Sequence, residues 1–479
     1  MKNVLEWLEA TVAKYPDKPA FSDTESSITF RQVYDIARNT GAYLVEQLGV
    51  DRTPVAVFAG RKMVTPAYFL GVVYAGRPYA PIDASLPDKR IEKILENLCP
   101  RAIVADRESL EHVESIVDEL AKTEGFDRPQ IFVAEDISRF EQVACADSNY
   151  KISESAGDAV TDSENDTDGC VVANCAGKTD DSSLDMLAVV RRQMSMTDPL
   201  YIIYTSGSTG NPKGVMTSHL SLMTYINAYC DVMHIEESDV LGNQSPLDYI
   251  AAIRDIYLPL KTGCSTAIIP KEYFMEPNAL FDYMNDKKVS SVGWSVSAFT
   301  ILTSLGAFEE VGLKSLRKIC FSGSVMPCRV LRKWQENLPQ AHFVNQYGPT
   351  EATASCTYYS VDHTVEDDEV LPIGKAYDNY RVFLIDEHGN EPAVGEQGEI
   401  CVCGPILALG YYNDPERTAA AFTLNPLNKA YPERMYRTGD YGRLDEDSIL
   451  HFCGRMDRQI KHMGHRVELD EVEHAANVV

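Results

Sequence analysis

The sequence predicts an α/β fold with two parallel or mixed sheets, covering helices and a smaller β-rich subdomain. Three observations carry this. Short apolar runs alternate with helical patterns from PVAVFA onward, a second such series begins at DVLGNQSP, and after about Tyr359 the texture turns to hairpins. Val4, Leu5, Leu8 and Val12 recur at helical spacing and stop before Pro16, which predicts an opening amphipathic helix. The first series then reads PVAVFA, VTPAYFLGVVYAG, PYAPID, DKRIEKILENL, RAIVAD, SLEHVESIVDELAK and QIFVAE, strand and helix in turn.

Between residues 145 and 185 the pattern gives way to Ser, Asp, Glu, Thr and Gly with few apolar residues. This reads as a mobile acidic surface insertion, with a docking arm or a gate for the next segment as the functional alternatives. The second series follows, with strands in DVLGNQSP, CSTAIIP, VSSVGWSV, LRKICFSGS and AHFVNQYG. Helices are read in AAIRDIYLPLKTG, ALFDYMNDKK and CRVLRKWQEN. YRVFLIDEHGN, EQGEICVCGP and SILHFCGR, with turns at Gly389-Asn390 and Gly395, make residues 357–456 the β-rich subdomain. Cys401 and Cys403 alternate, which places both on one face of a strand.

At 479 residues the chain has the length of roughly three domains or lobes. Its apolar and charged fractions, 44% and 24%, are those of a globular protein, and a formal charge of −27 argues against nucleic acid or an anionic membrane as partner. Twelve cysteines without C-x-x-C pairs make zinc and redox motifs weak readings. No run reaches membrane-spanning length and the N-terminus lacks a signal-peptide core, so a reducing cytosol is the expected home.

One stretch carries concentrated chemistry. Tyr204 to Val215, YTSGSTGNPKGV, gathers the hydroxyls of Thr205, Ser206, Ser208 and Thr209, the glycines Gly207, Gly210 and Gly214, and the amine of Lys213. Glycines let backbone N–H groups approach an anion, hydroxyls donate to its oxygens, and lysine supplies charge. A helix read directly after the loop would add its positive N-terminus. The spacing is not that of a Walker loop, because Gly214 follows Lys213 and no Gly lies directly before it.

Four further segments stand in order behind this loop: SGS at Ser322–Ser324, NQYGPTEAT at Asn345–Thr353, YRTGD at Tyr436–Asp440, and GRMDRQIKHMGHRVELDEVE at Gly454–Glu473. Together they resemble the adenylate-forming superfamily, and within it the adenylation domains of nonribosomal peptide synthetases and D-alanyl carrier protein ligases. The resemblance covers nearly the whole chain. It implies a layered large domain over residues 1–456, with a distorted barrel as its β-rich part, and a hinge and the start of a small α+β lid at 457–479. It also implies ATP and Mg²⁺ as cofactors, and a phosphopantetheine thiol, on a carrier protein or CoA, as acceptor.

Residue by residue, Ser206–Gly210 and Lys213 are similar to the loop around the β- and γ-phosphates, with Thr205 beside it. Glu351 resembles the Mg²⁺ ligand and Thr350 the hydroxyl that reaches the α-phosphate. Tyr347, next to Asn345, matches the aromatic that stacks on adenine, and Gly323 and Ser324 the backbone along the base. Asp440 and Arg455 resemble the ribose ligands, Asp457 the hinge, and Lys461 a polar group that nears the ribose. The family's lid also carries a lysine for the reacting carboxylate, and the chain stops at Val479 before it. Taken alone, these residues are expected to bind ATP or AMP and to adenylate weakly.

The acyl pocket departs from the resemblance. Counted without a gap from Asp255-Ile256-Tyr257, the family's Phe-Asp pair falls on Tyr249 and Ile250, and isoleucine cannot pair an α-ammonium group. A standard α-amino acid is therefore not expected as substrate, although a two-residue shift would make Asp248 the anchor. In the same register Gly293, Cys320, Ser322, Gln346, Ala354 and Ser355 line the pocket with Arg254. That arginine either meets a second anionic group of an aryl, hydroxy or dicarboxylic acid or pairs with Asp248 or Asp255 as a structural residue. The expected function is activation of a carboxylic acid as its acyl-adenylate and transfer to a carrier thiol. The alternatives are amino-acid adenylation, a CoA ligase for a small or aromatic acid, and a nucleotide-binding module without turnover.

Overall fold

The computed structural model describes residues 2–139, 186–207 and 211–455, and the backbone of two further strands, Gln459–His462 and His465–Glu468. The acidic insertion read over 145–185 lies outside the described residues.

Both α/β series form sheets. In the first, Tyr79–Ile82, Val55–Phe58, Ala102–Ala105 and Gln130–Val133 run parallel, and Pro199–Thr205, Lys213–Ser218 and Gly410–Tyr411 extend the sheet on the Tyr79 side. In the second, Ser265–Ile268, Val240–Asn243, Ser291–Ser295, Lys318–Ser322 and His342–Tyr347 are parallel neighbours. Strand Pro19–Ser22 joins this second sheet beside Ser265–Ile268, so the start of the chain is stitched to its middle.

Helices fill the space between the sheets. Thr65–Tyr74 is buried at every position, as an apolar helix with no solvent face must be. Phe30–Leu48 packs against it and starts with a reciprocal cap between Thr29 and Gln32. The Tyr79 hydroxyl meets that of Tyr257 at 3.0 Å, which ties the first sheet to helix Ile253–Thr262. Outer helices cover the remaining faces, with Trp294, Trp334 and Phe299 in one core and Ile94, Leu95 and Val117 in another.

The region read as β-rich over 357–456 is divided. Thr357–Val361 and Lys375–Ala376 add antiparallel strands to the second sheet, and the separate curled sheet comprises Arg381–Ile385, Gln397–Cys403, Arg434–Leu444, Phe422–Leu424 and Leu450–Arg455. Cys401 and Cys403 share one small core with Ile385 and Met435, as alternation requires.

One expectation is corrected. The run after the phosphate loop is a strand, Lys213–Ser218, antiparallel to Pro199–Thr205, and the helix starts only at His219. Thr205 and Lys213 face each other at the hairpin's end. Ser218 caps the helix, its Oγ accepting from the Ser221 N–H at 3.1 Å. A strand therefore separates the loop from the helix N-terminus that was expected directly behind it.

Candidate active site

The parallel strands of the second sheet place Asn243, Ser295, Ser322 and Tyr347 at their carboxyl ends, the edge where open α/β sheets bind ligands. The chain leaves that edge through Gly348–Ser355. Thr353 and Ala354 both adopt left-handed backbone, at φ 46° and 73°, a strained pair held by Thr353 donating to the Ile406 carbonyl and by the Ala408 N–H on the Glu351 carbonyl. Strain of that kind fixes where Thr350 and Glu351 point.

Glu351 is fully buried. Its Oε1 accepts from the Tyr411 hydroxyl at 2.7 Å and lies 3.2 Å from Lys213 Nζ, itself only 8% exposed. Lys213 also stands over the Tyr411 ring, 5.1 Å from its centroid. Tyr411 reaches this place because Gly410–Tyr411 pairs with Met216 and Val215 of the hairpin. Thr205 Oγ1 is buried without a hydrogen-bond partner among the described residues, and with Ser206 and Thr350 it lines a cavity of about 160 Å³. Gly207 sits where the loop is tight, since a Cβ there would come within 2.3 Å of the Asn211 carbonyl oxygen. Ser208, Thr209 and Gly210 lie outside the described residues.

A second cluster forms on the curled sheet. Asp440 and Arg455 are direct neighbours across antiparallel strands, with Arg455 Nη1 2.5 Å from Asp440 Oδ1. The other carboxylate oxygen accepts from the Tyr347 hydroxyl at 2.5 Å. Burial first, and then the Asp440 charge, hold the Tyr347 phenol protonated, so it is the donor. Asn345 is turned to structure, its amide donating to the Pro372 carbonyl at 2.8 Å. Gly323 lines a cavity on the other side of this segment and Ser324 is exposed. Asp457 lies outside the described residues, and Lys461 is described only as backbone, opposite Arg466.

That cavity, of about 70 Å³, is lined by Tyr249, Ile250, Arg254, Ser322, Ala354 and Ser355 among others, and none of its lining residues is a carboxylate. Asp248 instead faces the neighbouring cavities beside Asp83, where burial and then that like charge push its pKa to about 6. Gly293, Cys320 and Gln346, read from the sequence as lining this pocket, are not among its lining residues: Gly293 and Cys320, side by side on adjacent strands, are covered by Arg254, and Gln346 accepts from Ser355 Oγ at 3.4 Å. A larger cleft of about 1020 Å³ opens beside these cavities, and Pro246 lines all three.

One segment thus touches three clusters: Tyr347 at Asp440, Glu351 at Lys213, and Ala354 and Ser355 at the small cavity. The model of the family described as AMP-binding enzyme matches residues 8–412. The chain belongs to this family. A D-alanine–D-alanyl carrier protein ligase of Bacillus cereus strain Q1 is 30% identical over 473 residues, spanning 98% of this chain and 82% of that protein. A protein of the same name from Bacillus anthracis strain CDC 684 / NRRL 3495 is 31% identical over the same shares. Among solved structures, an artificially fused adenylation–PCP di-domain from Klebsiella oxytoca, NpsA-ThdA, superposes with a TM-score of 0.77 at 19% identity, covering all of this chain and 84% of that one. The Klebsiella oxytoca NpsA N-terminal subdomain does so at 0.73 and 19%, covering 95% and 100%. These last two show the fold.

Members of the AMP-binding family are adenylate-forming enzymes, and this chain is an adenylate-forming ligase on that ground. No helix among the described residues is long and apolar enough to cross a membrane. Sequence reasoning missed Tyr411, and also Arg417, whose Nη1 lies 3.7 Å from where a Gly207 Cβ would stand. The GYYNDPERT stretch held both, but nothing local shows that it pairs with a strand some 200 residues earlier.

Proposed function

We propose that the chain activates a small carboxylic acid with ATP and passes the acyl group to the phosphopantetheine thiol of a carrier protein. The observation that carries this reading is the Tyr347–Ser355 segment, which joins a phosphate end, a ribose end and an acyl cavity in one run of nine residues.

Lys213, Thr205 and Ser206 hold the β- and γ-phosphates, and Thr350 donates to the α-phosphate. Asp440 and Arg455 hold the ribose, with Tyr347 fixing the carboxylate from below and its ring beside the base. A substrate carboxylate oxygen attacks the α-phosphorus, an acyl O–P bond forms, and the bond to the bridging oxygen breaks as pyrophosphate leaves. The thiol sulfur then attacks the acyl carbon, its proton passes to solvent, and AMP departs. Glu351 fits a Mg²⁺ ion: it is a single hard carboxylate, and no group of three His, Cys, Asp or Glu lies near it among the described residues, so phosphate and water would complete the shell. Bound there, the ion would neutralise phosphate charge.

Transfer to a carrier protein is supported by the names of the curated relatives, and the open cleft at Pro246 gives a thiol arm a way to the acyl cavity. The acid lacks an α-ammonium group, because Ile250 lines that cavity and no carboxylate does. The test is ATP–pyrophosphate exchange over a panel of acids, followed by mass spectrometry of acyl transfer to holo carrier protein and to free CoA. Exchange that leads only to acyl-CoA would replace the carrier reading with a CoA ligase.

A further inference from the structure

Arg254 is 2% exposed, yet it lines the acyl cavity. Its Nε has no hydrogen-bond partner among the described residues, and the structural pairing with Asp255 read from the sequence is present only as a long ion pair, 3.6 Å from Asp255 Oδ1. Asp255 spends its other oxygen on the Asn243 amide, at 2.9 Å. A buried guanidinium left short of acceptors is costly, and arginine stays charged at any pH a protein meets.

The chain makes room for this group deliberately. A Cβ on Gly293 would fall 2.2 Å from Arg254 Nε and 2.4 Å from its Cζ, so only glycine at that position of strand Ser291–Ser295 lets the guanidinium lie there. Among the described residues the cavity lining brings no carboxylate to it. Ile250, also in the lining, brings no charge.

We infer that the acyl cavity takes a short dicarboxylic acid, one carboxylate being activated and the second received by Arg254. This rests on the adenylation reading above and adds the substrate class to it. At about 70 Å³ this cavity is the smallest of the three that Pro246 lines, which favours a short chain. A planar carboxylate matches the guanidinium fork, and the pairing is desolvated, so it should discriminate strongly against an acid with a methyl group in its place.

The test uses non-hydrolysable acyl-sulfamoyl-adenosines, which read binding without turnover. Titration calorimetry on the full chain compares the succinyl, butyryl and L-alanyl analogues, with AMP alongside. The succinyl analogue should bind about 10²-fold more tightly than the butyryl one, the worth of a good charge-assisted pair. In Arg254→Met the succinyl-to-butyryl ratio should collapse to within about threefold, and Arg254→Lys should restore part of it. Because the ratio is taken within one variant, partial misfolding cancels. Equal binding of succinyl and butyryl analogues in the natural chain would overturn the inference and leave the adenylation reading standing. Preference for the alanyl analogue would overturn it in favour of an ammonium anchor such as Asp248. Failure of AMP and every analogue to bind would remove both.

Discussion

Lys213 Nζ stands 3.2 Å from Glu351 Oε1, with the carboxylate fully buried and the ammonium nearly so. On the function proposed above, one of these groups serves the nucleotide and the other its metal, and here they pair with each other. Removing one partner of a buried pair strands the other, which costs about 3–5 kcal/mol, whereas removing both costs less. Urea unfolding should therefore show Glu351→Gln less stable than the Lys213→Met/Glu351→Gln double variant. Pyrophosphate exchange should fall at least about 10²-fold in each. Additive stability losses in the double variant would show that the pair is uncoupled.

Asp440 is gripped from both sides, by Arg455 and by the Tyr347 hydroxyl. If its carboxylate receives the ribose hydroxyls, the chain should discriminate against 2′-deoxy-ATP and 3′-deoxy-ATP, and Asp440→Asn should erase most of that discrimination. Tyr347→Phe removes one charge-assisted hydrogen bond worth about 1.5–3 kcal/mol, so it should weaken AMP binding by about tenfold or more without changing the order of the nucleotides. Isothermal titration with the three nucleotides reads both effects.

Much of this was legible in the chain itself. Most strands of the two parallel series came from short apolar runs, because burial on both faces leaves Val, Ile and Ala little company; Pro19–Ser22, which joins the second sheet, was not read from the sequence. The segments holding Glu351, Asp440 and Arg455 declared themselves by motif. The hairpin did not, since VMTS before HLSLMTY reads as one helical run. Pairing with Pro199–Thr205 and Gly410–Tyr411 turns it into a strand, and such pairing is invisible locally. Tyr411 escaped for the same reason. Arg254 was placed in the acyl pocket by register alone, but that Gly293 exists to admit it needed the third dimension.

Gly207 tests whether the loop's backbone shape matters apart from its side chains. A methyl group there would press on the Asn211 carbonyl, which is backbone and cannot swing away. Gly207→Ala should lower pyrophosphate exchange by about 10²-fold, through misplaced donors, while the melting temperature moves by only a few degrees. Raised ATP KM with unchanged kcat would instead mean that the loop only binds.

The last prediction concerns acid. His219 opens the helix that follows the hairpin; its ring is buried, and Nδ1 has no hydrogen-bond partner among the described residues. Burial, against the opposing pull of Asp198, pushes its pKa down to about 4. The unfolded chain takes up this proton near its ordinary value of 6.5, the folded chain only near 4, so the unfolded state binds more protons throughout that window. Stability is therefore full above about pH 6.5 and falls as pH drops toward 4, by up to about 3 kcal/mol from this residue. His219→Gln carries no titrating group and should flatten that part of the profile, even if it is less stable at neutral pH. Urea midpoints of both proteins at pH 7.5, 5.5 and 4.5 decide it: parallel profiles would mean that the imidazole is not what makes the fold acid-labile.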